Sequence, residues 1–477
     1  MRVIEEHPLP LPYLEAPGVR YRFDNGYTLI VVPKPGTVFN LSTWVKTGSI
    51  HEDDANNGVS HFLEHLMFKG TPRFSAGKFD REMEGMGGII NAATWKDFTF
   101  YYITAPMGAE ATGVESPNFQ KAMDMHADML LFASLPPEEI GPTYNPDDAS
   151  YQGEKRERAV VIEEISMRED QPWTKVYNQV NHMMYPEGHP YQRDVIGTRQ
   201  IIGNIPREHI EHYYQQWYAP ATMTTLVVGP FAPADVRDIA PRFFQFSQQA
   251  TASTAHGHTP VTLADVPALA SFTPANREAI LPGETQTSFF IMGFHGPTPT
   301  ALEDTIALDI ATLVLGGSRS SRLQQALIEK PDHPVFTVVS CDQSTFRLGN
   351  VAFIQGNFME VAPETAMAQV RGELARMLTD VPITLEEFQR AVKKLKVDFA
   401  AAVETAAGIS ESMGESVTLI DDERLFTGYL DALSRVTLAQ VHQAARTYLA
   451  LDKAYTSVLT PSDTETTVTP MATPASH

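Results

Sequence analysis

The stretch His61–Thr71, HFLEHLMFKGT, sets two histidines and a glutamate within five positions of one another. The text around it has helical period. In ANNGVSHFLEHLMF (55–68), Val59, Phe62, Leu63, Leu66 and Met67 recur at three- and four-residue steps behind an Asn/Ser start. Four residues of helix turn through about 400°, so His61 and His65 stand about 40° apart on one face, one turn above the other. Both imidazoles can reach one metal ion there, and Glu64 projects beside the same place, where it can accept a proton. In isolation a helix with two solvated histidines reads the same way, so a third ligand has to decide. The candidates lie in ERAVVIEEISMRED (157–170): Glu157, Glu163 and Glu164. Glu157 and Glu164, seven residues apart, share a helix face while Glu163 points elsewhere, and Val160 and Val161 offer apolar packing between the acidic turns. Two inward carboxylates opposite a His/His helix would be one ligand and one group that orients a ligand; two solvated glutamates are the alternative.

Outward from this segment the text alternates between strand and helix. GYTLIVVPKPG (26–36) and VFNLSTWVKTGS (38–49) read as strands, KFDREMEGM (78–86) as a helix stopped by Gly87-Gly88, and IINAATWKDFTFYYITA (89–105) as strand again. FQKAMDMHADMLLFASL (119–135) and KRERAVVIEEISMRED (155–170) read as helices, and TTLVVGPF (224–231) as a short buried strand. Residues 246–275 lack strong period and are rich in Ala, Thr, Ser and Pro, which marks a linker. Beyond it the order restarts. Residues 277–297 repeat strand, Pro-Gly turn, strand, and 303–330 repeat helix, glycine break, helix. The chain therefore reads as a divergent duplication: a metal-binding domain over 1–245, a homologous domain without the His/Glu cluster over 276–460, and a low-complexity, disordered tail over 461–477.

Composition bounds the function. Lys plus Arg is 36 against 58 Asp plus Glu, a net charge of −22, which argues against binding nucleic acid or an anionic membrane through a basic face. The one cysteine, Cys341, excludes an internal disulfide and a multi-cysteine metal site. No window approaches the ~20 apolar residues of a membrane-spanning helix, and the opening residues show no signal-peptide core. The chain is read as soluble and cytoplasmic.

HFLEHLMFKGT, GGIINAATWKDFTFYY, ERAVVIEEISMREDQP and GHPYQRDVIGT follow the order and wording of the inverzincin (H-x-x-E-H) zinc peptidases of family M16, and most closely resemble the short branch similar to mitochondrial processing peptidase. The resemblance covers most of the chain. It implies an α+β fold of two homologous α/β-roll domains, each a mostly antiparallel sheet with helices packed on one face. It also implies one zinc ion per chain held by His61, His65 and Glu164, with Glu64 as general base and Glu157 supporting the site without binding metal. Asn91, Ala92, Ala93 and Thr94 would form the strand that pairs with an extended substrate. The interval from His65 to Glu164, 99 residues, is longer than usual for the family, and the excess fits two loop-like stretches, 108–118 and 141–153. A second departure concerns chemistry. Active members carry an Arg and a Tyr in the second half, whereas EKPDHPVFTV (329–338) has Phe336 in place of the tyrosine and no arginine in register. Phenylalanine cannot donate a hydrogen bond to an oxyanion, and His333 is more readily an ordinary surface histidine than its substitute. The resemblance therefore implies a zinc endopeptidase acting on unfolded peptides in a closed chamber. A homologous partner chain (heterodimer), or a second copy (homodimer), would complete it. A non-catalytic assembly or peptide-binding subunit is the alternative.

Overall fold

The computed structural model describes residues 1–108, 112–145, 153–246, 266, 267, 269 and 272–462. Most of the expected linker, most of the tail and parts of both loop-like stretches lie outside the described residues.

The run Leu-Ile-Val-Val at 29–32 belongs to a strand buried on both faces, and its neighbours are built the same way. The first sheet comprises β1 (Val3–Leu9), β2 (Gly18–Phe23), β3 (Thr28–Pro33), β4 (Val38–Val45), β5 (Ile89–Thr94), β6 (Thr99–Pro106) and β7 (Met223–Gly229), in the spatial order β1-β2-β3-β7-β4-β6-β5. Only the β3–β7 pair is parallel. The second sheet comprises β8 (Glu278–Gly283), β9 (Ser288–His295), β10 (Phe336–Ser344), β11 (Val351–Phe358) and β12 (Tyr455–Pro461), in the order β10-β11-β9-β12-β8, with only β8–β12 parallel. With the hairpin β1–β2 set aside, the two sheets have the same strand order and the same single parallel pair. The duplication read from the restart of elements is therefore present in the topology. One reading is corrected: residues 89–105 are not one strand but the hairpin β5–β6, turned at Trp95–Phe98. Trp95 is the exposed residue at that turn, and its aromatic character had read as strand.

Each half lays its own helices on one face of its sheet, as expected. The opposite face is covered by a helix from the other half. Leu226, Val228, Ile30 and Trp44 of the first sheet pack against Ile409, Met413 and Val417 of the helix Ala406–Ile420. In return Val176, Val180 and Met184 of the helix Pro172–Met184 pack on Ile291, Phe353 and Tyr455 of the second sheet. The contact surfaces use small residues for close approach. Ser42 and Ser410 hydroxyls meet at 2.6 Å, and a Cβ on Gly414 would fall 2.0 Å from the Trp44 indole. At the other crossing a Cβ on Gly293 would fall 2.6 Å from Met184 Sδ. Polar ties reinforce the junction: buried Asp97, in the β5–β6 turn, accepts from the Arg347 backbone N–H at 3.0 Å and from Tyr191 Oη at 2.7 Å.

Because the indole and the helix backbone leave no room at this crossing, Gly414→Ala is expected to lower the stability of the chain by about 1–3 kcal/mol. Chemical denaturation followed by tryptophan fluorescence measures it; an unchanged midpoint would contradict the close crossing.

Candidate metal centre

The helix Val59–Met67 turns its apolar side, Val59, Phe62, Leu63, Leu66 and Met67, into the core of the first half. This is the face read from the sequence, and it leaves His61, Glu64 and His65 on the other side. The start of the helix is held by a residue that sequence reading missed. Glu52, fully buried, accepts from the Gly58 N–H at 2.7 Å, the Ser60 N–H at 2.8 Å, Ser60 Oγ at 2.5 Å and Asn57 Nδ2 at 2.9 Å. It caps the helix in place of Gly58, which has no side chain to do so and whose φ of 94° favours glycine. The signal was an acidic residue ahead of the helix start, but nothing in its spacing marks it as turned inward.

Opposite lies the helix Glu157–Glu169, seated by Val161, Ile162 and Ile165, while Val160 stays largely exposed, so only one of the two valines packs. Arg158 braces the pair of helices: its guanidinium lies 5.5 Å from the Phe62 ring centre and donates to the Ile205 carbonyl at 2.9 Å. Glu163 is exposed. Glu164 presents Oε2 3.7 Å from Nε2 of His61 and 3.7 Å from Nε2 of His65. The three ligand atoms lie within 4.8 Å of one another, and they form the one group of three potential ligands among the described residues. Two imidazole nitrogens and one carboxylate oxygen facing a common point fit the donor set of a catalytic zinc site, with room left for a water or a substrate. His182 and His189 are not part of this group.

Glu157 occupies the other side of His65. His65 Nδ1 donates to Glu157 Oε2 at 3.0 Å, which turns Nε2 toward Glu164, and Lys69 Nζ meets the second oxygen of Glu157 at 2.5 Å. Burial opposes ionisation of Glu157, but the bonds from His65 and Lys69 hold its carboxyl below the usual carboxylate range. Burial also pulls His65 down, yet the Glu157 bond and the charges of Glu64, Glu157 and Glu164 leave it above the ordinary imidazole value. His61 is pushed down to about 3 by burial, then by His65 and Arg168, which keeps its ring neutral and free to donate a lone pair.

Glu64 is half-buried beside the cluster. Burial raises its carboxyl pKa, Thr94 and His65 pull it back, and Glu164 pushes it up again, for a net increase. Thr94 Oγ1 donates to Glu64 Oε2 at 2.5 Å. Of the four residues expected to meet substrate, Thr94 thus spends its hydroxyl on Glu64, while Asn91, Ala92 and Ala93 lie along β5, one of the two edge strands of the first sheet. The second half brings no donor from the expected place. Phe336 is buried among Phe290 and Phe358, and His333 is exposed.

Two family models match successive stretches of the chain: Insulinase (Peptidase family M16) over residues 29–199, and the Peptidase M16 inactive domain over 204–395. YmxG of Bacillus subtilis, which carries the name of a zinc protease, is 25% identical over 447 residues, spanning 93% of this chain and 98% of that protein. PqqE of Helicobacter pylori, likewise named a zinc protease, is 25% identical over 453 residues, 92% of this chain and 91% of the other. Among solved structures, a protease from Helicobacter pylori superposes with a TM-score of 0.78 at 21% identity, covering 95% of this chain and 100% of that one. An M16-like peptidase from Alicyclobacillus acidocaldarius gives 0.74 at 20% identity, over 95% and 100%. At those identities the superpositions speak to the fold, which is the two-domain α/β arrangement with mixed sheets. With its two halves matched in order and its relatives aligned nearly end to end, this chain belongs to peptidase family M16.

Proposed function

We propose that the chain is a zinc-dependent endopeptidase that binds one zinc ion through His61, His65 and Glu164 and uses Glu64 as general base. The observation that carries this reading is the convergence of the three ligand atoms with a half-buried glutamate next in sequence to one of them. Zinc bound there would supply a Lewis acid for the scissile carbonyl and the attacking water. Glu64 takes a proton from that water and passes it to the leaving amine, and its raised pKa makes it a stronger proton acceptor than a solvated glutamate. Glu157 fixes the ring of His65, and Lys69 neutralises Glu157 so that a buried carboxylate can stay ionised.

The free edge of β5 is where an extended peptide would add as a further strand, paired along Asn91–Thr94. Thr94, bonded to Glu64, ties that edge to the base, so a peptide held there lies beside the proton acceptor. Main-chain pairing of this kind needs an unfolded substrate, in keeping with peptides admitted to a closed chamber. With Phe336 in the core of the second half, the reading assigns the Arg/Tyr pair to a homologous partner chain; a homodimer, whose two copies both lack the pair, is the second option. An assembly subunit without activity is the weaker reading, because base and ligand set are both intact.

Glu64→Gln is expected to retain one zinc per chain by elemental analysis and to lose peptide cleavage by about 10²–10⁴-fold; unchanged cleavage would refute the role. Glu164→Ala is expected to purify without stoichiometric zinc. Glu157→Gln should keep the fold by circular dichroism but weaken zinc binding about 10–100-fold in chelator competition. Purified alone, the chain should cleave peptides slowly and gain activity when a homologous Arg/Tyr-bearing chain is added. Full activity without any partner would contradict the division of labour.

A further inference from the structure

Arg168 follows the ligand Glu164 by one helical turn and extends from the same side of its helix. Its charge reaches His61, contributing after burial and His65 to keeping that ring neutral. The other arginines of this region each hold a hydrogen-bonded partner. Arg158 holds the carbonyls of Ile202 and Ile205, Arg193 holds Asp54 and the Glu52 carbonyl, and Arg199 holds Glu169. Arg168 differs. Among the described residues its guanidinium has one partner, Asp194, at 3.7 Å, beyond hydrogen-bond reach, and 44% of its side chain is exposed. Asp194 is itself shared with Asn178 and the Ile196 N–H, each at 3.4 Å.

Arg168 borders a charged cavity lined by Asp54, Lys175, Glu187 and Arg193, and also a second one of about 430 Å³ between the two halves, walled by Trp173 and Tyr177 on one side and Ile291, Val338 and Gln355 on the other. Arg168 and Asp194 are the charged residues of that lining. A forked cation with unspent donors, one helical turn from Glu164 and lining a cavity whose one other charged residue is Asp194, is matched by a carboxylate that can take two parallel N–H bonds. We propose that Arg168 binds the side-chain carboxylate of an aspartate or glutamate close to the scissile bond, giving the enzyme a preference for acidic peptide segments. This rests on the peptidase reading above. The chain's net charge of −22 does not oppose it, since that field is screened beyond about 8–10 Å in physiological salt while the Arg168 contact is local.

The test is peptide binding rather than turnover, in the zinc-loaded Glu64→Gln protein. Fluorescently labelled peptides of otherwise neutral sequence carry a single Glu, Gln or Lys at each position in turn, and affinity is read by anisotropy. One position is expected where Glu binds roughly five- to tenfold tighter than Gln, with the advantage shrinking as salt is raised. Adding Arg168→Gln should bring that ratio to one, Arg168→Lys should leave a reduced advantage, and Arg168→Glu should favour Lys. Arg199→Gln, which removes the same charge elsewhere, should leave the ratio as it was. If the Glu/Gln ratio is the same with and without Arg168, the assignment fails and the peptidase reading stands. If no peptide binds at any position, both fail together.

Discussion

Both central sheets are apolar on two faces, and that constraint organises the molecule. A strand such as β3 cannot leave either side in water, and each half has helices enough of its own for one side. The second side is closed by exchange: Pro172–Met184 crosses to the second sheet and Ala406–Ile420 crosses to the first. Neither half is therefore complete alone. The exchange also reaches the candidate metal centre. The histidines sit on a helix buried wholly in the first half, but the glutamate helix ends at Glu169 and the crossing helix begins at Pro172. Glu164 is thus carried on the arm that ties the halves together, and the docking of the halves helps set its distance from His61 and His65. The tie from Asp97 to Arg347 does the same for the turn beyond the β5 edge.

Around the ligands, charge is arranged in a line rather than a cluster. Lys69, Glu157 and His65 alternate in sign or polarity, each bonded to the next, and end at the point shared with His61 and Glu164. An unpaired buried carboxylate would take up a proton and release His65 to rotate; Lys69 prevents this. His61 has no such brace: its Nδ1 is buried without a hydrogen-bond partner among the described residues. Its position is set by packing and by the capped start of its helix, which makes Glu52 part of the same geometry.

What could be read in the sequence was whatever depends on local period. The apolar side of the histidine helix was legible to the residue, as was the separation of Glu163 from Glu157 and Glu164, because a helix imposes one geometry on any text that adopts it. The restart of elements after the linker was legible for the same reason. Period could not choose between Glu157 and Glu164, since both share a face and the distinction lies in which nitrogen of His65 each meets. The exchanged helices were not legible, because amphipathic text does not say whose sheet it covers. Thr94 was expected on the strand that pairs with substrate; that its hydroxyl also meets Glu64, across 30 positions of chain, was not legible.

The central claim is that two imidazoles and one carboxylate from distant segments share a single zinc while Glu64 stays free. Anomalous diffraction at the zinc edge from crystals of the zinc-loaded protein tests it most directly. The account predicts one strong peak per chain, about 2.0–2.2 Å from His61, His65 and Glu164, with Glu64 and Glu157 outside bonding distance. A peak bonded to Glu157 or Glu64 in place of Glu164, or lying elsewhere in the chain, would contradict it.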